Sequence, residues 1–262
     1  MRNRILRGFI PVLVLVFLYA PILILALYSF TDATQIGAIR SFTLKNYVTL
    51  FTTEELRDMI IGTIVLALVS SVIATILGTL GAIGAFYSRK RTAGAISTIN
   101  QVPVINADVV TGFSLCILLV VVFGISKSTY IPLVIGHVVL SAPFVYLSVT
   151  PKLKQMDRSL PEAAMDLGCT PMRAFFKATL PEIMPGIITG MLMAFTLSLD
   201  DFVISYFTTG NSFQTLPIRI YNMTKKTVTP KMYALATIIF FVILALLLIS
   251  NLTDQGEKQA SE

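Results

Sequence analysis

Six long apolar runs constrain this chain more than any other feature of its sequence. Each is close to or longer than the ~20 apolar residues that a helix needs to cross a bilayer. Hydrophobic residues make up 55% of the chain, charged residues only 13%, and the mean hydropathy is +0.81, all unlike soluble domains. Backbone groups in lipid must be satisfied within their own segment, which predicts helices. We therefore expect an all-α membrane protein with six transmembrane helices, at about 9–30, 59–87, 104–123, 130–150, 186–207 and 234–252.

Basic residues predict how the helices are oriented. Arg2, Arg4 and Arg7 precede the first run and a basic cluster at 88–91 follows the second, and Lys and Arg are enriched in cytoplasmic loops. The first run is longer than the apolar part of a signal peptide and lacks a convincing cleavage site, so we expect it to be retained. The N-terminus and C-terminus are expected inside. The net charge of +6 then needs no nucleic-acid partner.

The rest of the chain indicates one membrane domain, residues 1–262. It lacks internal repeats, and its two substantial non-membrane pieces are an outside segment at 31–58 and a cytoplasmic loop at 151–185. A further outside loop, 208–233, carries several positive charges that would repel a cationic solute. A polar tail closes the chain from residue 254 to residue 262.

Cysteine and histidine offer little chemistry. Cys116 lies in the third run and Cys169 in the cytoplasmic loop, so we expect no disulfide between them. His137 is the single histidine and has no companions of the kind that hold zinc, so no metal site is expected. We expect His137 to form a hydrogen bond inside the helix bundle, as lone polar residues of membrane helices commonly do.

The cytoplasmic loop carries dense helix-boundary signals. Ser159 and Glu162 have the spacing of a capping box, with Pro161 suited to the first turn. Gly168 can adopt the left-handed conformation that ends a helix. The Thr170-Pro171 pair predicts a second start and Leu180-Pro181 a second stop. These signals predict two short helices joined by a bend, with an apolar surface that would need a partner.

This loop resembles the EAA loop of binding-protein-dependent ABC importer permeases. The resemblance rests on Glu162-Ala163-Ala164, Gly168 and Leu180-Pro181 at their spacing. Ala178 and Cys169 depart from the residues usual in that family. The resemblance implies a type I ABC importer permease bundle whose loop docks into the ATP-hydrolysing subunits. The residues implied in this coupling are Glu162, Ala163, Ala164, Asp166, Leu167 and Gly168.

Within that family the chain is most similar to spermidine/putrescine import permeases. The likeness rests on four stretches: Ser198 to Ser205, Thr209-Gly210, Leu216-Pro217 with Ile220-Tyr221, and Ala234 to Thr237. The likeness implies a polyamine path in a bacterial cytoplasmic membrane. It also implies four kinds of partner: two ATPase subunits, a second homologous permease, an extracytoplasmic polyamine-binding protein and the lipid bilayer.

Two adjacent aspartates, Asp200 and Asp201, interrupt the fifth apolar run. They lie about 22 Å along a helix that starts at Gly186, which places them in the outer half of the membrane. An aspartate there costs about 2.5–3.5 kcal/mol, so the pair must face the bundle interior or water. Helical spacing puts Asp201 on one stripe with Ser198, Ser205 and Thr208. Paired carboxylates suit a small dication or polycation.

Other residues could complete that path. Asp108 follows Pro103, which can interrupt the third run and free backbone groups to line a cavity. Tyr206 and Tyr221 could make cation–π contacts with ammonium groups. The runs contain no Lys or Arg to pair with the three aspartates, which favours a cationic ligand. The structural alternative is an internal hydrogen-bond network that fixes the bundle.

The chain is not expected to be an enzyme. It lacks the G-x-x-x-x-G-K-[ST] loop that cradles phosphates, so no cofactor is expected in it, and ATP and Mg belong on the partner ATPases. A membrane-embedded enzyme with an aspartate pair is a rival class, but adjacent aspartates on a helix point about 100° apart. A self-sufficient secondary transporter is a second rival. The nearest alternative is a type I ABC permease for another small solute.

Overall fold

A computed structural model describes residues 2–32, 41–157, 159–210, 213–225, 232–245 and 248, with side chains from residue 11 onward. Almost all of this part of the chain is helical, as predicted. The helices are α1 Arg2–Ser29, α2 Lys45–Thr52, α3 Glu54–Tyr87, α4 Lys90–Ile105, α5 Asp108–Cys116, α6 Ile131–Gln155, α7 Ser159–Asp166, α8 Pro171–Ala174, α9 Leu180–Asp200, α10 Val203–Thr208, α11 Leu216–Thr224 and α12 Met232–Ala245. Two π-helical segments, Ile117–Val122 and Phe175–Thr179, follow α5 and α8.

The described residues contain four helices long and apolar enough to cross a membrane. These are Pro11–Ser29, Glu54–Tyr87, Ile131–Gln155 and Pro171–Asp200, and a bent helix pair makes a fifth if it is counted as one span. The predicted sixth span, 234–252, matches the shorter helix α12 and then continues into residues that lie largely outside the described part. The predicted tail at 254–262 also lies outside it.

The third predicted span, 104–123, is not one straight helix. Helices α4 and α5 meet at a bend of 103° across Asn106 and Ala107. Pro103 lies inside α4, and the helix ends two residues after the proline, at Ile105, rather than at it. Asn106 and Ala107 both have extended backbone, and the apolar length from Lys90 to Val122 is thereby divided between two directions.

The predicted helix stop at Leu180-Pro181 is wrong. The chain continues as a helix from Pro171 to Asp200. Pro181 has no N–H to donate and its ring crowds the preceding turn, which would break a regular α-helix. The π-helical turns at Phe175–Thr179 widen the helix immediately before Pro181. Such wider turns change the hydrogen-bond pattern locally and let the helix continue past the proline.

By contacts the chain divides into two compact units. Unit 1 comprises Met1–Ile60 and Arg219–Leu244, and unit 2 comprises Ile61–Ile218 and Ala245–Glu262. In unit 1, the start of α2 is tied to the end of α1. The buried amide of Asn46 donates to the carbonyl oxygens of Ser29 at 2.9 Å and Thr31 at 3.0 Å. Tyr28 and Tyr233 place their ring centroids 5.8 Å apart, joining α1 to α12.

Unit 2 is built around the antiparallel pair α6 and α9. Small residues recur every fourth position on α9, and all are buried: Gly186, Gly190, Ala194 and Ser198. Added Cβ atoms on the two glycines would lie 2.8–3.1 Å from α6, so the two backbones approach closely. Lipid gives little hydrophobic drive for helix association, and close packing of small residues is the usual substitute.

Hydrogen bonds cross the same α6–α9 interface. Ser148 donates to the Gly186 carbonyl at 2.9 Å, and Ser141 donates to the Ala194 carbonyl at 3.4 Å. Helix α3 closes the unit against α6, where its buried Ala74 and Ala82 belong to the same core as Val145 and Val149. The result is a tightly packed three-helix centre that carries the candidate site at one end of α9 and the predicted coupling loop at the other.

Candidate functional site

The fifth predicted span, 186–207, is broken at the two aspartates. Helix α9 ends at Asp200, Asp201 has extended backbone with ψ of 124°, and α10 begins at Val203. The carboxylate of Asp201 accepts the backbone N–H groups of Ser205 at 2.7 Å and Ile204 at 3.3 Å. It thereby satisfies amides in the first turn of α10, which would otherwise have no helical partner.

His137 of α6 completes this arrangement. Its side chain is fully buried, with Nδ1 2.6 Å from the Ser198 hydroxyl and Nε2 2.9 Å from the Ser205 hydroxyl. Nε2 also lies 3.7 Å from Oδ2 of Asp201, whose side chain is only 6% exposed. The expectation that His137 forms a hydrogen bond inside the bundle is confirmed. We name these four residues, His137, Ser198, Asp201 and Ser205, the break cluster.

The contact between His137 and Asp201 was not predicted from the sequence. The signal was available, because the runs contain no Lys or Arg and His137 is the chain's single histidine. The polar residues of the predicted stripe, Ser198, Ser205 and Thr208, are all buried. These residues face the interior of unit 2, where Thr208 donates to the Ile204 carbonyl at 2.7 Å.

Asp200 lies in a different environment from its neighbour. It is the last residue of α9 and is exposed on the surface of unit 2. Because the chain leaves the helix here, the final carbonyl groups of α9 carry the partial negative charge of a helix C-terminus beside this carboxylate. The structure thus divides the predicted pair into one carboxylate satisfied by the protein and one presented outward.

The other predicted path residues are placed as follows. Asp108 begins α5 directly after the 103° bend and is exposed. Tyr206 of α10 is 50% exposed, and its ring lies 5.6 Å from that of Phe202. Tyr221 belongs to unit 1, where Lys225 Nζ lies 4.3 Å from its ring centroid. The structure brings Asp201 and Ser205 together, and a role of any of the six in substrate contact stays a prediction.

Two of the basic residues in the predicted outside loop have partners within unit 1. Arg219 forms an ion pair with Glu55 at 3.1 Å, and Lys225 lies over the Tyr221 ring. Lys226 and Lys231 lie outside the described residues. Among those that are described, no group of three or more His, Cys, Asp or Glu is placed to hold a metal ion, and Cys116 and Cys169 are free thiols.

The predicted coupling loop forms a helix, a tight turn and a second helix. Helix α7 ends at Asp166, and Gly168 has a φ of +86°, as its left-handed role predicted. The Cys169 N–H donates to the Ala164 carbonyl at 3.1 Å and the Gly168 N–H to the Met165 carbonyl at 2.9 Å. This pair of bonds is the Schellman motif, which fixes the direction in which the chain leaves α7.

The surface of this loop is apolar. Leu167 is 88% exposed, Met172 68% and Phe176 56%. Glu162, Ala163, Asp166 and Gly168 are also exposed, and Ala164 is half-buried. A cavity of about 670 Å³ opens between α7, α8 and the end of α3, with Tyr87, Met156, Met165 and Phe175 among its lining residues. Large exposed apolar side chains beside a cavity indicate a surface that binds another protein.

The helix cap at the start of α7 differs from the predicted capping box. Helix α7 already includes Ser159, and the carboxylate of Asp157 accepts the Ser159 N–H at 2.9 Å. That bond lowers the pKa of the Asp157 carboxyl. A lowered pKa means that the cap stabilises α7 above the ordinary pKa of aspartate and is lost as the pH falls through the lowered value.

Asp157→Ala should therefore loosen α7. We expect the backbone amides of residues 159–162 to exchange with solvent about two- to tenfold faster at neutral pH, because a lost N-cap frees the first turn. Hydrogen–deuterium exchange of the purified subunit measures this. Asp157→Asn, which keeps an acceptor oxygen, should lie between the alanine variant and the unaltered chain, and equal exchange in all three would contradict the capping role.

The fold is that of ABC importer membrane subunits. A chain of the crystal structure of a bacterial alginate ABC transporter in complex with its alginate-bound periplasmic protein superposes with a TM-score of 0.71 and 18% identity, covering 95% of this chain and 93% of that one. A chain of an amino acid ABC transporter superposes with a TM-score of 0.56 and 20% identity, covering 82% and 96%. At these identities the likeness establishes the fold.

Sequence comparison identifies the family. Residues 76–256 match the family described as the binding-protein-dependent transport system inner membrane component, and the chain belongs to that family. The spermidine/putrescine transport system permease protein PotC of Escherichia coli K12 is 34% identical over 261 residues, covering 100% of this chain and 98% of PotC. PotC of Haemophilus influenzae is 35% identical, covering 96% and 97%. The putrescine permease PotI of E. coli K12 is 35% identical, covering 85% and 81%.

Proposed function

We propose that this chain forms half of a translocation path for polyamines, spermidine or putrescine, in an ATP-driven importer. Its relatives PotC and PotI are named as permeases of those solutes and match nearly all of the chain. The observation that carries the substrate class is the exposed carboxylate of Asp200 at the C-terminal end of α9. A carboxylate beside unpaired helix carbonyls attracts an ammonium group.

The division between the two aspartates supports this role. The Asp201 charge is already met by two backbone amides and lies near His137. The Asp200 carboxylate is left to face outward, where a mobile cation can reach it. In this proposal Asp200 is the primary ammonium contact, and Asp108 and the Tyr206 ring are further contacts along the path. Asp201 and Ser205 hold the chain in place at the break.

The second part of the proposal concerns energy supply. Helix α7 and the turn at Gly168 dock into a partner ATPase, with Leu167 and Met172 as the apolar anchors. Exposed apolar side chains on and beside a turn of fixed geometry suit such docking. ATP and Mg are held by two ATPase subunits, and this chain itself does not hydrolyse ATP. The bundle then alternates between inward-facing and outward-facing states as the ATPases close and open.

The remaining assembly follows from the same family. A second, homologous permease supplies the other half of the path, and an extracytoplasmic polyamine-binding protein delivers the substrate. We place the N-terminus and C-terminus in the cytoplasm, so that the loop at 151–185 faces the ATPases and the break at Asp201 lies in the outer half of the membrane. The Arg2, Arg4 and Arg7 cluster favours this orientation.

Asp200→Asn tests the substrate class. An ionic hydrogen bond contributes about 1.5–3 kcal/mol, so its loss should reduce uptake of labelled putrescine and spermidine about 10- to 100-fold. The measurement uses cells that lack their own polyamine importer and express the complete transporter. Asp58→Asn is the matched control, since Asp58 is another exposed carboxylate, 3.5 Å from Arg57 at the start of α3.

The control should transport normally, and both variants should assemble with the ATPase. Undiminished uptake by an assembled Asp200→Asn complex would contradict the role of Asp200. If the unaltered complex imports neither polyamine, the substrate lies among the other small solutes that this family carries. Transport that proceeds without any partner ATPase would instead support a secondary carrier.

A further inference from the structure

The break between α9 and α10 is only partly explained by local sequence, through the Asp201 cap of α10. Helix interruptions usually occur at proline, glycine or an inserted group, and the residues from Ser198 to Ser205 include neither proline nor glycine. Leu199, Phe202 and Val203 would tolerate a continuous helix in an apolar environment. Asp201 caps α10 from within the break, and His137 of α6 adds contacts from elsewhere in the fold.

The break cluster supplies those contacts from one side chain. His137 is bonded through Nδ1 to Ser198, which lies on α9 before the break. Through Nε2 it is bonded to Ser205 on α10 after the break and lies 3.7 Å from the Asp201 carboxylate. One rigid imidazole ring therefore fixes the separation of the two helices at the point where the chain changes direction.

We propose that His137 is a positioning residue that holds the break open and so keeps Asp200 aimed outward. His137 is fully buried and acts through Asp201 and Ser205, without touching substrate. This inference rests on the proposed function of Asp200. It assigns to a histidine of α6 the control of a carboxylate on α9, and side-chain hydrogen bonds join these two helices at Ser148, Ser141 and His137.

The two adjacent carboxylates need different environments, because Asp201 is buried and Asp200 is exposed. If α9 continued as a straight helix, the Asp201 side chain would point about 100° away from Asp200 and would lose its capping role toward α10. A buried carboxylate without partners is strongly unfavourable, so Asp201 would seek another environment and take Asp200 with it. With His137 in place, Asp201 is satisfied inside and Asp200 alone is presented to a cation.

Three substitutions of His137 separate the two links. In His137→Asn the amide lies near the position of Nδ1 and can bond Ser198 only. In His137→Gln the longer amide lies near Nε2 and can bond Ser205 beyond the break. His137→Ala removes both links. We expect the polyamine imported per ATP hydrolysed to fall about fivefold in the alanine and asparagine variants. It should be largely rescued in the glutamine variant, because the bond to Ser205 beyond the break is the link through which His137 acts.

The measurement uses the complete transporter in proteoliposomes with labelled putrescine and spermidine. A merely structural role would reduce the amount of assembled complex and leave the import per ATP of the remainder unchanged. Ser141→Ala is the matched control, because Ser141 is equally buried on α6 but bonds α9 before the break. It should leave the import per ATP unchanged.

A double-mutant cycle with Asp200→Asn decides whether His137 acts through Asp200. If it does, His137→Ala adds little to the loss already caused by Asp200→Asn. Independent, multiplicative losses would overturn the inference while leaving the proposed function intact. A silent Asp200→Asn would overturn both. Should the alanine variant fail to assemble, equal import per ATP in the glutamine and asparagine variants would overturn the inference on its own.

Discussion

Gly168→Val should abolish polyamine uptake while leaving the membrane bundle folded. Gly168 ends α7 with a φ of +86°, a conformation in which a β-branched residue is a strong steric outlier. The substituted chain must leave α7 in another direction, which breaks the bonds from Gly168 and Cys169 back to the helix. Leu167, the most exposed large apolar side chain of the loop, would then be displaced from the docking surface.

Two measurements test this expectation: uptake of labelled putrescine and co-purification of the ATPase with the tagged permease. Both should fall to background. Gly168→Asn should retain substantial activity, because asparagine tolerates the left-handed region. Gly94→Val is the matched control, since an added Cβ at Gly94 also meets open space but its φ is not positive. Normal ATPase binding by Gly168→Val would show that α7 and its turn are not the coupling element.

Gly78→Ala should destabilise the bundle itself. A Cβ at Gly78 of α3 would lie 2.7 Å from the Ala142 carbonyl oxygen and 2.7 Å from Val145 Cβ on α6. Neither atom is the end of a flexible side chain, so the helices must separate. Overpacking of this kind costs about 1–3 kcal/mol, and α6 would lose contact with α3 and strain its packing on α9.

Gly84→Ala provides the matched control on the same helix, because an added Cβ there meets nothing within 4 Å. Alanine favours a helix over glycine by about 0.5–1 kcal/mol, so this variant should be as stable as the unaltered chain or slightly more so. The melting temperatures of the two variants are measured by heating in detergent, with size-exclusion chromatography used to monitor the folded fraction. Equal melting temperatures for Gly78→Ala and Gly84→Ala would contradict the close approach of α3 and α6.

Much of the fold follows from apolar length and helix-ending signals. Four of the six apolar runs correspond to helices long and apolar enough to cross a membrane, because a helix satisfies its backbone groups within its own segment in lipid. Gly168 was placed correctly in the left-handed region, because glycine commonly ends helices there and has no Cβ to clash. Both predictions depend on properties of a short segment, and neither needs knowledge of what packs against it.

The differences arise where distant residues decide the local structure. At the break, Asp201 lies beside His137, 64 positions earlier in the chain, a contact that periodicity does not show, so the helix was extended through it. Pro181 was taken as a helix end, yet the π-helical turns before it let the helix continue. The predicted polar stripe was correct in spacing, but burial turned Ser198 and Ser205 toward His137 rather than toward an open path.

The close apposition of α6 and α9 has a mechanical consequence. Helices whose backbones touch along a ladder of small residues cannot bend independently, so a displacement at one end is delivered to the other as a tilt. Helix α9 has 21 residues, a length of about 32 Å, and a tilt of 10° would move its far end by about 5 Å. One end of this stiff rod adjoins α7 and α8 and the other carries Asp200. In the proposed coupling, this tilt would carry motion from the ATPase-facing loop to the end of α9 that holds Asp200, with an amplitude set by the length of the helix.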